Sequence, residues 1–161
     1  MNRLNKLFLS FFGVGCAPIA PGTFGSAAGI LVLFYIAKFD VSLLVLCLLN
    51  LTVTIAAIFA VDYYQQQTKN FDPGWIVIDE VVGIIWAWCF VPEASLVNFI
   101  LVFLLFRIFD IFKPWPVSYF DHLKSGFGVV MDDVVSGLLA GLILKILYMI
   151  PFISSIKESL T

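Results

Sequence analysis

Charge is what this 161-residue sequence most conspicuously lacks: Asp, Glu, Lys and Arg together make up 12% of it, against about a quarter in a soluble domain. So little charge excludes a disordered chain, which needs much of it and few apolar residues. Histidine occurs once and cysteine three times, which leaves scant material for a zinc or copper site. An odd number of scattered cysteines, Cys16, Cys47 and Cys89, is no disulfide framework. Cys47 and Cys89 fall inside apolar runs and read as small buried hydrophobes. The net charge is −2, so no basic field exists to draw in nucleic acid.

What is abundant is hydrocarbon. Hydrophobic residues make up 61% of the chain and the mean hydropathy is +1.05. A chain this short leaves much of its surface uncovered and has no core large enough to hide that excess. The excess must face lipid, which makes this an integral membrane protein. Five apolar runs stand out, at 24–38, 41–61, 76–91, 94–112 and 129–152. Backbone groups in a bilayer must be satisfied within their own segment, so the runs are expected to be helices. The expected fold is all-α, a single domain over 1–161 with about four to five membrane-embedded helices in one bundle. A spanning helix needs about 20 apolar residues, with 17 to 25 tolerated; the second, fourth and fifth runs meet that. The first and third reach only about 22–24 Å, so they must thin the bilayer, borrow flanking residues or enter partway. Gly25/Gly29 and Gly137/Gly141 are spaced to let helices approach closely.

At the start, Arg3 and Lys6 ahead of an apolar stretch at 7–12 imitate a signal peptide, and 13–16 faintly imitates a lipoprotein cleavage site. The stretch is short and Pro18 and Pro21 follow at once, so it reads as retained, a basic-aromatic segment at the membrane surface. Threading the five runs puts Arg3, Lys6, Lys69, Lys113 and Lys124 on one side. Lys38, Lys157 and, by snorkelling, Lys145 fall on the other. The positive-inside rule makes the first side cytoplasmic.

The same threading gathers the charges at membrane depth. Asp79 and Glu80 begin the third run, Arg107 and Asp110 close the fourth, and Asp132 and Asp133 open the fifth. Each costs roughly 2.5–3.5 kcal/mol at a helix centre, so such residues face protein or water and mark function. All fall at one membrane face, together with Asp72 and Asp121, and form one site. A carboxylate cluster suits a hard cation, Mg²⁺ or Mn²⁺. Arg107, Asp110 and Lys113 step by three along a helix and share a broad face, with arginine as a bidentate clamp for phosphate. Plainer readings stand beside these. Asp79 and Asp132 fit first-turn caps and dipole partners. Arg107 and Asp110 fit an ordinary intrahelical ion pair, Pro114-Trp115-Pro116 a helix stop, and His122 a surface residue. Capping, however, does not require Glu80 beside Asp79 or Asp133 beside Asp132. Intramembrane carboxylates serve a metal-dependent enzyme or a small ion-coupled transporter or channel; their confinement to one face favours the enzyme.

Four blocks at these positions resemble the phosphatidylglycerophosphatase A family, integral membrane lipid phosphatases of bacteria. They are Ala-Pro-Gly-Thr-Phe-Gly-Ser at 20–26, Asp-Pro-Gly-Trp-Ile-Val-Ile-Asp-Glu-Val-Val-Gly at 72–83, Phe-Arg-Ile-Phe-Asp-Ile-Phe-Lys-Pro-Trp-Pro at 106–116, and Gly-Val-Val-Met-Asp-Asp-Val-Val-Ser-Gly at 128–137. The resemblance implies a Mg²⁺-dependent phosphatase. Its substrate would be phosphatidylglycerophosphate, its product phosphatidylglycerol, and its place the bacterial cytoplasmic (inner) membrane with the active site at the cytoplasmic face. By position, Asp72, Asp79, Glu80, Asp132 and Asp133 match the acidic cluster, and Arg107, Asp110 and Lys113 the phosphate-facing group. With Asp110 added, those carboxylates are the candidate metal ligands. Phe71 stands where the family often has histidine, and no role is assigned to it.

Exclusions point the same way. No cysteine has an arginine six residues on, one histidine cannot serve a two-histidine mechanism, and no Asp-x-Asp pair is present. Metal-assisted hydrolysis remains, with Arg107 against the developing phosphoryl charge. Either Asp79 or Asp133 takes the proton of the attacking water, and a direct aspartyl nucleophile stays open. Gly22, Gly25 and the hydroxyls of Thr23 and Ser26 either turn a helix N-terminus toward the substrate phosphate or simply begin a helix.

Overall fold

Each long helix starts where the sequence supplies a cap. The hydroxyls of Ser42, Ser95 and Ser125 accept the N–H groups of Val45, Asn98 and Gly128, satisfying donors that a helix start leaves orphaned. Pro21 opens another helix at its first position, where a missing N–H costs nothing. The structure is a computed structural model and describes residues 3–71 and 73–150. Among the described residues there are seven α-helices and no strand: α1 (Arg3–Leu9), α2 (Pro21–Ile36), α3 (Leu43–Thr68), α4 (Ile78–Trp88), α5 (Leu96–Phe112), α6 (Val117–Asp121) and α7 (Gly126–Tyr148).

Three helical stretches are long and apolar enough to cross a membrane: Pro21–Phe39, Leu43–Thr68 and Gly126–Tyr148. The count of four to five is therefore not reached by length and composition. The first run, expected to be short, gains its length by starting at Pro21 and continuing into a 3-10 turn. The fourth, expected to span, yields a helix of 17 residues. α3 continues past its apolar stretch to Thr68, so much of the polar segment after residue 61 is helix and not loop. The exterior carries exposed Leu44, Leu48, Leu51, Ile55 and Phe59 on α3, and Ile100, Leu104 and Ile108 on α5, a surface suited to lipid.

α4 is short for a different reason. It has 11 residues, of which Ile78, Asp79, Val81, Val82, Gly83, Ile84, Ile85 and Ala87 are buried. A helix apolar on all sides belongs inside a bundle, and α4 lies against α7 and α2 with α3 and α5 alongside. Glycine sets how close α4 and α7 come. A Cβ on Gly137 would run into the Gly83 carbonyl, and one on Gly83 would sit 2.6 Å from both the Asp133 carbonyl oxygen and Phe106. Gly141 meets the Ala87 carbonyl in the same way. On the α2 side, Gly25 faces Val77 and Gly29 faces Ile84, so both small-residue pairs act as packing surfaces.

Polar bonds add to this packing midway along α3. Asn50 donates to the Val82 carbonyl at 3.1 Å and the Trp86 indole to Thr54 at 3.1 Å. Cys47 and Cys89 are free thiols 3.4 Å apart between α3 and the end of α4. α1 is built into the body: Leu9 is fully buried and its carbonyl accepts the Val77 N–H at 2.9 Å, while Leu4, Leu7 and Phe12 are exposed.

Because the nearest atoms that a Cβ on Gly137 would meet are all Gly83 backbone, no rotamer change relieves the clash. Gly137→Ala should lower the unfolding temperature in detergent, with overpacking costing about 1–3 kcal/mol. An unchanged melting temperature would contradict the close crossing of α4 and α7.

Candidate active site

The alternating course of the chain brings the N-termini of α2, α4 and α7 and the C-termini of α3 and α5 to one end. There a cavity of about 440 Å³ opens among Gly22, Asp79, Glu80, Asp110, Lys113, Asp121, Asp132 and Asp133. The structure thus brings most of the candidate acids together with Lys113. Thr23, Ser26 and Arg107 are not among the residues that line the cavity, and Asp72 lies outside the described residues.

α4 supplies Asp79 and Glu80 in its first turn, at the positive end of its dipole. α7 supplies Asp132 and Asp133, but not as caps. The helix begins at Gly126 with Ser125 as its cap, so both aspartates lie beyond the first turn and the capping explanation fails for them. Asp79, Asp132 and Asp133 are all buried. Asp79, Glu80 and Asp133 each present a carboxylate oxygen, all within 4.8 Å of one another. Among the described residues, Glu80 Oε2 and Asp133 Oδ1 are buried and accept no hydrogen bond. Three carboxylates at that spacing repel one another unless a cation lies between them. An all-oxygen donor set with unsatisfied atoms fits a hard divalent ion.

The other two nominated ligands are turned elsewhere. Asp110 Oδ2 accepts from Arg107 Nη1 at 2.5 Å. Asp132 Oδ2 accepts from Lys113 Nζ at 2.7 Å, and Lys113 also donates to Asp121. Arg107, Asp110 and Lys113 do not form one row. The chain turns left-handed at Lys113, φ 43°, and its ammonium joins α6 and α7, whereas Arg107 reaches α2 and donates to Ser26 Oγ at 3.4 Å. Ser26 is fully buried and donates to the Gly22 carbonyl at 2.9 Å, so its hydroxyl braces Arg107. Gly22 has a role that the sequence did not disclose. A Cβ there would strike Glu80 Oε1 and lie 3.4 Å from Arg107 Nη1, so glycine makes room for the Glu80 carboxylate. His122 is exposed and contacts the Ser118 carbonyl, a surface residue as expected.

Burial alone would lower the Lys113 pKa, but Asp132 and Asp121 outweigh it and hold the ammonium well above its ordinary value. Sequence reasoning passed over Lys124 and Phe71 as wall residues of the cavity. One is an exposed lysine in a loop and the other a loop aromatic, and neither carries a spacing signal.

Residues 7–148 match the family model described as Phosphatidylglycerophosphatase A. The chain belongs to the phosphatidylglycerophosphatase A family. It is 35% identical over 151 residues to a Phosphatidylglycerophosphatase A of Haemophilus influenzae, covering 87% of each chain. It is also 35% identical over 137 residues to a Phosphatidylglycerophosphatase A of Escherichia coli, covering 83% of this chain and 77% of that one. A relative in Bacteroides thetaiotaomicron, 33% identical over 140 residues and covering 84% and 87%, bears the name Putative phosphatidylinositol-3-phosphatase. No solved structure gives a significant match. The blocks that carry the family resemblance fall on the first turns of α2, the loop and first turn of α4, the last turn of α5 and the N-terminal half of α7, which are the walls of this cavity.

Lys113 offers a check on that geometry. A lysine whose folded pKa is raised contributes stability that is fully present below the unfolded value of 10.5 and is lost only as pH rises through the folded value. Lys113→Met should therefore melt lower than the parent by a gap that does not close between about pH 7 and pH 9. A gap that closes across that window would mean that the lysine is not held by Asp132 and Asp121.

Proposed function

We propose that this member of the phosphatidylglycerophosphatase A family removes the terminal phosphate of phosphatidylglycerophosphate in a Mg²⁺-dependent hydrolysis. The observation that carries the reading is the set of Asp79, Glu80 and Asp133, three mutually close carboxylates, two of which, Glu80 and Asp133, have a buried oxygen that accepts no hydrogen bond. These three residues would hold the ion. Once bound, a divalent cation supplies neutralisation of phosphoryl charge and a more acidic, oriented water.

The chain's own residues do the rest. Lys113 ties Asp132 down and keeps the α5 and α7 ends together around the cavity. Asp110 and Ser26 hold the guanidinium of Arg107 beside Gly22 and Glu80, where it answers negative charge growing on the phosphate. A carboxylate of the ion-binding set, Asp79 or Asp133, takes the proton of the attacking water. The acyl chains stay in the bilayer while the headgroup enters the charged end of the bundle. Lysine and arginine placement supports a cytoplasmic location for that end, in the bacterial inner membrane. The names borne by the relatives differ in lipid but share a phosphomonoester as the group removed, which supports that substrate class.

Phosphate release from detergent-dispersed phosphatidylglycerophosphate should vanish with EDTA and return with Mg²⁺; full turnover in metal-free buffer would sink the mechanism. Asp133→Asn should lower turnover by about two or more orders of magnitude with little recovery in excess Mg²⁺. Arg107→Ala should lose about tenfold or more beyond Arg107→Lys, because the lysine keeps the charge but not the planar fork. Near-normal activity of a well-folded Asp133→Asn protein would contradict the shared site. For the orientation, single cysteines placed at 117–125 in a cysteine-free variant should react with an impermeant maleimide only after cells are opened. Labelling of intact cells would invert it.

A further inference from the structure

The cations that the sequence nominates for phosphate are already neutralised in the structure, Arg107 by Asp110 and Lys113 by Asp121 and Asp132. Beside the catalytic cavity lies a second pocket of about 240 Å³, edged by Lys69, Lys124, Gln66 and Asp62. Phe71 and Lys124 line both spaces, so the two adjoin across a shared wall. Asp62 is occupied, since its Oδ1 accepts the Gly126 N–H at 2.6 Å and anchors the start of α7. Among the described residues, neither Lys69 nor Lys124 has a carboxylate within ion-pair distance. The result is an acidic chamber adjoining a smaller one whose rim carries two ammonium groups without an ion-pair partner among the described residues.

That polarity suits a ligand with two anionic groups a short bridge apart. Phosphatidylglycerophosphate is such a molecule: a phosphomonoester at its tip, a three-carbon bridge, then a phosphodiester joined to diacylglycerol. We infer that the Lys69–Lys124 pocket receives the phosphodiester while the monoester lies among the carboxylates next door. This rests on the reading of the chain as a phosphatase for that lipid. Lys124, on the wall shared by both spaces, fixes which phosphate goes where, because the anion without a metal partner is drawn to the ammonium rim. Lys69 and Lys124 are then selectivity residues that act on binding and take no part in bond cleavage.

The test compares the parent with a Lys69→Ala variant in detergent with Mg²⁺, since Lys69 lines the second pocket and not the catalytic cavity. Two substrates are used: phosphatidylglycerophosphate, and para-nitrophenyl phosphate, which has no phosphodiester. The variant should lose about tenfold or more in kcat/KM on the lipid, mainly through KM, and stay within about twofold on the small ester. Equal loss on both substrates would make Lys69 structural, and no loss on either would remove it from recognition; each result overturns the proposal. A second arm measures binding of phosphatidylglycerol, which keeps the phosphodiester and lacks the monoester, in nanodiscs of zwitterionic lipid. The variant should bind about tenfold more weakly than the parent. An equal weakening in an Arg3→Ala/Lys6→Ala variant would assign the effect to general attraction for anionic lipid and overturn the pocket. If the parent hydrolyses neither substrate, the phosphatase reading fails, while the binding arm still decides the phosphodiester site.

Discussion

Three carboxylates held within 4.8 Å of one another inside an apolar bundle repel strongly, and the surroundings are arranged around that repulsion. Burial makes each negative charge costly. A helix start eases the cost for Asp79 and Glu80 through the dipole of α4, but Asp133, well inside α7, has no such help. The neighbouring acids are removed from the conflict one by one, Asp110 by Arg107 and Asp132 by Lys113. What remains is a negative pocket of defined membership, walled by ion pairs that have spent their own charge.

Such a pocket needs helices closer together than ordinary side chains permit. Asp79 and Glu80 face Asp133 because α4 and α7 cross glycine to glycine, with Gly83 under the Asp133 carbonyl and Gly137 under Gly83. Gly22 does the same for α2, letting the Glu80 carboxylate lie where a methyl group would have been. Between helices in lipid there is little hydrophobic gain from association, so close backbone approach and polar bonds provide the cohesion. Here the same glycines that hold the bundle together set the spacing of the acidic groups. Stability and site geometry are coupled through a few residues without functional groups.

The helical, lipid-facing character of the chain was legible in its composition, and so was the gathering of the charges, because alternate threading of apolar runs fixes which ends meet. Helix lengths were less legible. Apolar run and helix are different quantities: α3 outlasts its apolar stretch, and α4 is apolar because it is enclosed and not because it spans. The division among the acids was also hidden. Asp132 and Asp133 are neighbours in sequence, yet successive helical residues point about 100° apart, so one meets Lys113 and the other meets Glu80 and Asp79. Nothing in the local pattern says which. The bracing of Arg107 by Ser26 joins residues far apart in the chain and leaves no periodic trace.

The same logic separates two kinds of cation near the cavity. Arg107 and Lys113 are half-buried, where a cation without a counter-charge costs more than one in water, and each is paired with aspartate. Lys69 and Lys124 are exposed at the rim, where water pays most of the solvation and no partner is required. An inner cation can serve the reacting phosphate only by sharing its aspartate, which suits a charge that grows during the reaction. A rim cation is available before any reaction begins, which suits capture of a headgroup. On the proposed reading, inner and outer cations are fitted by their burial to different moments of one event.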